Sequence, residues 1–562
     1  MLIVSRINNY LRQLDKNFRA YPIIGSAMIF FLTSLLYASI YIKNPGTLFT
    51  DDHFFLFKYA YVIRMQGWDA VRHFKWIAIE PGNSIAYQLT LFNLALIPFT
   101  YIKDMTIGLK VSDIFWASLS VSTIYYTFRK FKFSWPSLWI LALASVGVFA
   151  ERVLIGRALV LVPAFLMLEL YFAKEKKYFK FFLISLLHIV WHPSTFFFPM
   201  VIALLIEVAR MLANSKFFGK NIIGATLAFF IGINLTLYSI VGLLWQVVTI
   251  QLLATQKAND NGLKIGGTEL YPVDLFKMTT GSQMMLLLLL SCFSITICYY
   301  VAVKRNKIPL NESEKEDNVL LYSAFLFALM SFAGSILVSG RFYDYYFVSV
   351  IFLAAAVITV LLKRRDLLVA PKIMRYFLAG VALFFLVAVT NVFLNVKHDI
   401  SNSNYDVLGE VASWVALRSN KDDRIFLSDW SLFPVAFFYN SKNIYNIGIE
   451  PEGLRMANPE LYWKWYNIFV YRMYCDKAYD CLAENKKMSA DIGAASEEQK
   501  KQMTKENSRK IIESIKNDFD SRFLVISGAL GNVIDMNPDM IADKIEKSAS
   551  IDGEDIRGYE LK

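Results

Sequence analysis

Two aspartates stand side by side in TLFTDDHFFLFKYAYVIRMQGW, residues 47–68. An adjacent carboxylate pair can take a proton from a poor nucleophile or hold a divalent ion. It can equally begin a helix. Thr50 is a good N-cap, Asp51 and Asp52 fall in a first turn where acids complement the helix dipole, and Gly67 suits the position just past the end. The next stretch, GWDAVRHFKWIAIEPG, is a second amphipathic piece bearing His73, Lys75, Trp76 and Glu80. Acids, bases and aromatics on two consecutive interfacial pieces exceed what a connector needs. Further chemistry-bearing residues lie among apolar ones: Arg152 and Arg157 in ERVLIGRALVLVP, His192 in HIVWHPSTFFFP, and Arg341, Tyr343, Asp344 and Tyr345 in GRFYDYYF. Each has a plainer reading. Arg157 can pair with Glu151, His192 can be a turn or packing residue, His188 can be packed, Glu169 can snorkel or pair toward the cytoplasmic end of its span, and interfacial tyrosines are ordinary.

The elements that must position these residues follow from composition. The chain has 562 residues, 56% of them hydrophobic, and a mean hydropathy of +0.41. A water-soluble globule needs more polar covering than that. Apolar runs at 22–42, 108–128, 134–150, 153–172, 179–191, 194–212, 221–245, 282–303, 319–338, 342–362 and 374–395 approach bilayer thickness. The stretch 85–102 is ambiguous, and parity settles it. With the basic N-terminus inside and 85–102 not crossing, the loops RKFK, KEKKYFK, KRNK and KRRD all fall on the cytoplasmic side. Residues 1–20 are cationic with no signal-type core behind them, and read as an amphipathic helix on the cytoplasmic surface. The net charge of +11 is then a topology signal rather than a sign of nucleic-acid binding. The same parity places the Asp51–Asp52 loop, His192, residues 340–347 and everything after about residue 396 outside.

The tail changes character. RIFLSD, NIYNIGI and RFLVISG read as short buried strands between helical stretches, one of them the very polar segment from Ser496 to Asp518. Cys475 and Cys481 can pair in an oxidising compartment, or remain two thiols. The expected architecture is a polytopic α-helical membrane protein of about 11–13 spans with an extracytoplasmic α/β C-terminal domain. Its divisions are a transmembrane domain over 1–395, with a first external loop at 43–107, and a soluble domain over 396–562. No Walker loop, no dinucleotide glycine fingerprint in a strand–helix setting and no zinc-type His/Cys spacing occur.

FTDDHFFLFKYAYVIRMQGW, then EPGNSIAYQL, then GLKVSDIFWASLSVSTIYYTFRKF resembles the opening of membrane glycosyltransferases of the GT-C superfamily, such as protein O-mannosyltransferases and aminoarabinose transferases. Here Asp52 stands where the commonest form has Glu, and EPGNSIAY lacks the usual double proline. The resemblance implies transfer of a sugar from a polyprenyl phosphate donor to a glycan, lipid or protein acceptor, outside the cytoplasm. It implies an integral protein of a bacterial inner membrane serving the cell envelope. Asp51 matches the first acid and is expected to act as general base, with Asp52 orienting it, or with the pair holding a divalent cation. The leaving phosphate needs cations, for which Arg152, Arg157, His192 and Arg341 are the expected residues. His73, Lys75, Trp76, Glu80, Tyr343, Asp344 and Tyr345 are expected around the substrate. A transporter or flippase of lipid-linked saccharides is the alternative, and needs polar sites within the spans. A polysaccharide polymerase or ligase needs a larger late loop than 251–281.

Overall fold

An apolar segment without water can satisfy its backbone only within itself, so long apolar runs become helices. The computed structural model describes residues 21–42, 51–67, 74–78, 91–217, 219–236, 280–305, 311–337, 342–363, 387–398, 406–448, 451–477, 479–551 and 554–562. These divide into two units. The first draws on Met1–Ile40, Leu89–Phe92 and Val111–Lys397, the second on Tyr41–Gln88, Asn93–Lys110 and His398–Lys562.

The first unit is helical. Among the described residues five helices are long and apolar enough to cross a membrane: Pro22–Ser39, Pro193–Leu212, Met285–Arg305, Glu312–Leu337 and Asp344–Lys363. Ile23, Phe31 and Leu287 are 73%, 62% and 65% exposed, a surface that suits lipid. The chain is an integral, polytopic membrane protein.

Several expected spans are broken or short. Residues 134–150 fold as Pro136–Ala144 and Gly147–Leu154, bent by 85°. Residues 153–172 hold a 3-10 turn, Ala158–Leu161, before the helix Val162–Lys174. Pro163 fits only the first turn of that helix, so continuous helix cannot run through it from the N-terminal side. At 1.5 Å per residue, 13- and 14-residue helices reach only about 20 Å, short of a bilayer core of about 30 Å. Irregular backbone at such depth persists where protein or a cavity covers it. In 85–102 the described part is the helix Leu91–Leu96 with the 3-10 turn Ile97–Tyr101, also too short to cross alone. The expected spans at 221–245 and 374–395 lie partly outside the described residues. The helices of this unit are tied by a buried polar knot. Arg210, fully buried, donates from Nη2 to the carbonyl of Lys174 at 2.8 Å, and the Asn221 amide donates to Glu207 Oε1 at 3.2 Å. A cation on the last carbonyls of the helix Val162–Lys174 also meets its negative dipole end.

The second unit is α/β. Its sheet has the strands β1 (Arg424–Leu427), β2 (Ile444–Tyr445), β3 (Phe523–Ser527), β4 (Ile541–Ile551) and β5 (Glu554–Leu561), in the order β2-β1-β3-β5-β4. β2, β1 and β3 are parallel, with Ile425 opposite Phe523 and Leu427 opposite Val525. β5 and β4 continue the sheet antiparallel. The three strands read from the sequence are present. The β4–β5 hairpin is an addition: IADKIEKSASI carries charges along an edge strand, a usual guard against strand pairing between molecules, and these mask its alternation. The polar helix Glu497–Asn517 starts at a capping box of Ser496 and Gln499. Cys475 and Cys481 are disulfide-bonded, Cα to Cα 6.6 Å.

Candidate active site

Asp51 and Asp52 are the first two residues of the helix Asp51–Gln66 in the second unit. The helix ends as its sequence suggests. Gly67 takes φ +79° and donates its N–H to the carbonyl of Ile63 at 3.0 Å. Only a residue without Cβ adopts that backbone freely. Asp52 is half-buried, while the side chain of Asp51 lies outside the described residues. Behind the acids the helix is apolar. Phe54 meets Phe438 at 5.2 Å between ring centroids, and Phe55 meets Phe437 and Phe433 at 5.9 and 6.0 Å, on the helix Phe433–Tyr439 of the tail. The next piece of the loop closes over the same rings: Phe74 and Trp76 lie 5.5 and 5.3 Å from Phe437.

That piece is also a strand addition. Ile77 pairs in parallel with Tyr445 of β2. Tyr445 N–H donates to Trp76 O at 2.8 Å, and Ala78 N–H to Tyr445 O at 2.7 Å. Trp76 is 2% exposed and donates its indole N–H to Ser441 O at 2.7 Å. Trp76 thus fastens the loop segment to the sheet edge. Lys75 is exposed, its Nζ 5.6 Å from the Trp76 ring. His73 and Glu80 lie outside the described residues. Lys58, about two turns into the acidic helix, is 6% exposed, with Nζ 5.0 Å from the Tyr61 ring. Burial pushes its amine down to about 8.

Arg152, Arg157 and His192 lie in the first unit, where its helices break, and Asp344 and Tyr345 lie at the start of the helix Tyr343–Lys363. Arg152 Nε lies 3.1 Å from Asp344 Oδ1, so residues far apart in sequence form one ion pair. Arg152, Arg157 and Asp344 line a small cavity with Phe149, Val160 and Pro163. Arg157 stands directly before the 3-10 turn Ala158–Leu161. His192 follows the helix Tyr178–Trp191, and its neighbour Trp191 donates its indole N–H to Ala158 O at 2.7 Å. The His192 turn and the Arg157 turn are thereby linked. Tyr345 is 3% exposed and packs edge-on against Phe198 at 4.6 Å. Arg341 and the side chain of Tyr343 lie outside the described residues.

Of the two readings of Glu169, snorkelling or pairing, the structure shows pairing. Glu169 and His188 are both fully buried, with Glu169 Oε1 2.9 Å from His188 Nδ1, and His188 Nε2 lies 3.0 Å from Thr195 Oγ1. An ionisable residue deep in an apolar helix with a histidine on the neighbouring helix was the available signal. Among the described residues no cluster of three or more His, Cys, Asp or Glu side chains could hold a metal ion.

No protein-family model and no curated protein sequence matches the chain. Among solved structures it is similar to the crystal structure of ArnT from Cupriavidus metallidurans in the apo state, with 8% sequence identity and a TM-score of 0.41, covering 95% of this chain and 98% of that one.

Proposed function

We propose that this protein is a membrane glycosyltransferase that takes a sugar from a polyprenyl phosphate and passes it to a hydroxyl of a glycan, lipid or protein acceptor on the extracytoplasmic side of a bacterial inner membrane. The observation that carries this reading is the acidic helix start, with Asp51 and Asp52 leading a helix whose following turns are locked by aromatic packing within the second unit. A general base must be held still, and rigid elements hold side chains better than free loops. Asp51 takes the acceptor proton as the hydroxyl oxygen attacks the anomeric carbon. The bond from that carbon to the phosphate oxygen breaks, and the phosphate leaves with the negative charge. Arg152, Arg157, His192 and Arg341 are the groups we assign to that charge, and guanidinium pairs well with phosphate. The Cys475–Cys481 disulfide supports placing the tail in an oxidising compartment.

The experiment is transfer by the purified protein in vesicles. Incubation with polyprenyl-phosphate-linked sugars should release polyprenyl phosphate and glycosylate an acceptor, while nucleotide sugars should not react. Turnover of nucleotide sugars alone contradicts the reading. Movement of lipid-linked saccharides without bond cleavage is the second reading, and the buried Glu169–His188 pair favours it. Translocation of an intact fluorescent lipid-linked sugar, with no free polyprenyl phosphate produced, would replace the first reading by the second.

A further inference from the structure

Two cations toward the far end of the acidic helix are held without a counter-charge. Lys58, Tyr61 and Arg64 recur every three residues on the helix Asp51–Gln66, so they are neighbours along one side of it. Lys58 Nζ and Arg64 Cζ each stand 5.0 Å from the centre of the Tyr61 ring. Arg64 Cζ also stands 4.5 Å from the centre of the Tyr101 ring, at the end of the 3-10 turn Ile97–Tyr101. Cation, ring, cation and ring follow one another in a short ladder, all of it within the second unit. Neither Lys58 nor Arg64 has an acidic partner among the described residues. Arg64 Nε is buried with no hydrogen-bond partner among those residues, and Nη2 meets the sulfur of Met65 at 3.6 Å. The helix end offers Arg64 about half a negative charge, which leaves more than one positive charge unanswered. Two further observations say what kind of anion fits. Tyr101 is 70% exposed and Met65 58%, so large apolar side chains stand open beside the cations. Tyrosine, cations and bare apolar groups belong together at a lipid headgroup layer. The chain also passes from here into an expected span, 108–128. The start of the helix Met105–Lys130 packs closely on the acidic helix, since a Cβ on Gly108 would stand 3.0 Å from Phe57 Cζ and 2.7 Å from the carbonyl oxygen of Phe99. The ladder is therefore tied to the place where the chain meets the bilayer. A guanidinium whose flat face rests on rings keeps its N–H edge for a phosphate.

We propose that Arg64, ordered by Tyr61 and Tyr101 and backed by Lys58, binds the phosphate of an anionic phospholipid headgroup and so moors the end of the acidic helix to the membrane surface. The guanidinium edge donates to the phosphate oxygens, while Met65 and Tyr101 lie against the upper part of the acyl layer. This site stands whether or not the glycosyltransferase reading does.

The test uses the full-length protein in nanodiscs of phosphatidylcholine that hold a small share of phosphatidylglycerol with a photoreactive headgroup. After illumination, mass spectrometry should find lipid on peptides covering residues 60–66 and 98–107. Adducts on the basic loops at 174–180 and 363–366 serve as an internal reference. Competition by unlabelled phosphatidylglycerol gives an apparent affinity at each place. Arg64→Gln should weaken the affinity at 60–66 about tenfold, the scale of a lost hydrogen bond to a charged group, and leave the reference unchanged. Arg64→Lys keeps the charge without the planar fork, and should recover less than half of that loss. Tyr101→Leu keeps an apolar cover and should cost about two- to fivefold. Melting temperatures separate lost binding from lost folding, and Tyr101→Leu, at an exposed position, carries the test if Arg64→Gln does not fold. Undiminished labelling at 60–66 in Arg64→Gln, or a wild-type affinity in Arg64→Lys, overturns the site. Labelling that dissolved glycerol phosphate removes as readily as phosphatidylglycerol does would mark a site for free phosphate, and overturns the mooring.

Discussion

The two units hold their candidate side chains by opposite means. In the first unit polar groups are paired one with another, most of them buried: Arg152 with Asp344, Glu169 with His188, and Arg210 with the carbonyl of Lys174. In the second unit the acidic helix packs on aromatic rings, and the segment after it adds a β-bridge from Ile77 to Tyr445. Polar burial is costly to break because each group left behind is desolvated and unpaired. Aromatic packing is costly to break because a cavity remains. The first gives a narrow choice of geometry, and the second gives stiffness that tolerates similar shapes.

The largest expected effect breaks the aromatic side. Phe437 is fully buried and touches Phe55, Phe74 and Trp76. Phe437→Ala should cost about 3–5 kcal/mol of stability in the second unit, with hydrogen exchange rising together in residues 51–66 and 74–78. Phe437→Leu should recover much of the loss. Faster exchange confined to the tail would show that the loop is held by something else.

Lys58 is a buried charged residue in that region, and sharpens the comparison through pH. Burial holds its folded pKa near 8, below its unfolded value. The folded state therefore binds fewer protons than the unfolded state between about pH 8 and 10.5, and stability rises with pH across that window. The change approaches about 3 kcal/mol, and is lost as pH falls back through the folded value. Lys58→Met should raise the melting temperature at pH 7 and flatten its dependence between pH 8 and 10. An unchanged slope in Lys58→Met would contradict the assignment.

A smaller effect is expected at the ion pair, since Arg152 keeps some exposure. Asp344→Asn should cost about 1–3 kcal/mol, and Arg152→Met a similar amount. The double variant should lose clearly less than the sum, the signature of a direct pair. Strict additivity would mean that the two act separately.

Much of this was legible because it is local. The acidic helix from Asp51 to Gly67, the three apolar strands and the capping box at Ser496 follow from propensity, caps and glycine. What was not legible is pairing over distance. Nothing in FKWIA announces that Trp76 and Ile77 will lie along Tyr445. Nothing near Arg152 names Asp344 as its partner. The charged hairpin β4–β5 hid because lysine and glutamate at an edge obscure alternation. The broken helices around Arg157 hid because apolar composition measures length in residues, while Pro163 and the turn before it decide where a helix can run.

The central claim is that Asp51 takes the acceptor proton. Asp51→Asn keeps shape and starts a helix about as well as Asp, so folding should be nearly intact. In the vesicle transfer assay the rate should fall by about 10²–10⁴-fold, while binding of undecaprenyl phosphate and the melting temperature stay near wild type. Full transfer activity in both Asp51→Asn and Asp52→Asn, or an activity loss that only tracks melting temperature, would contradict the account and leave the acidic pair as the start of a helix.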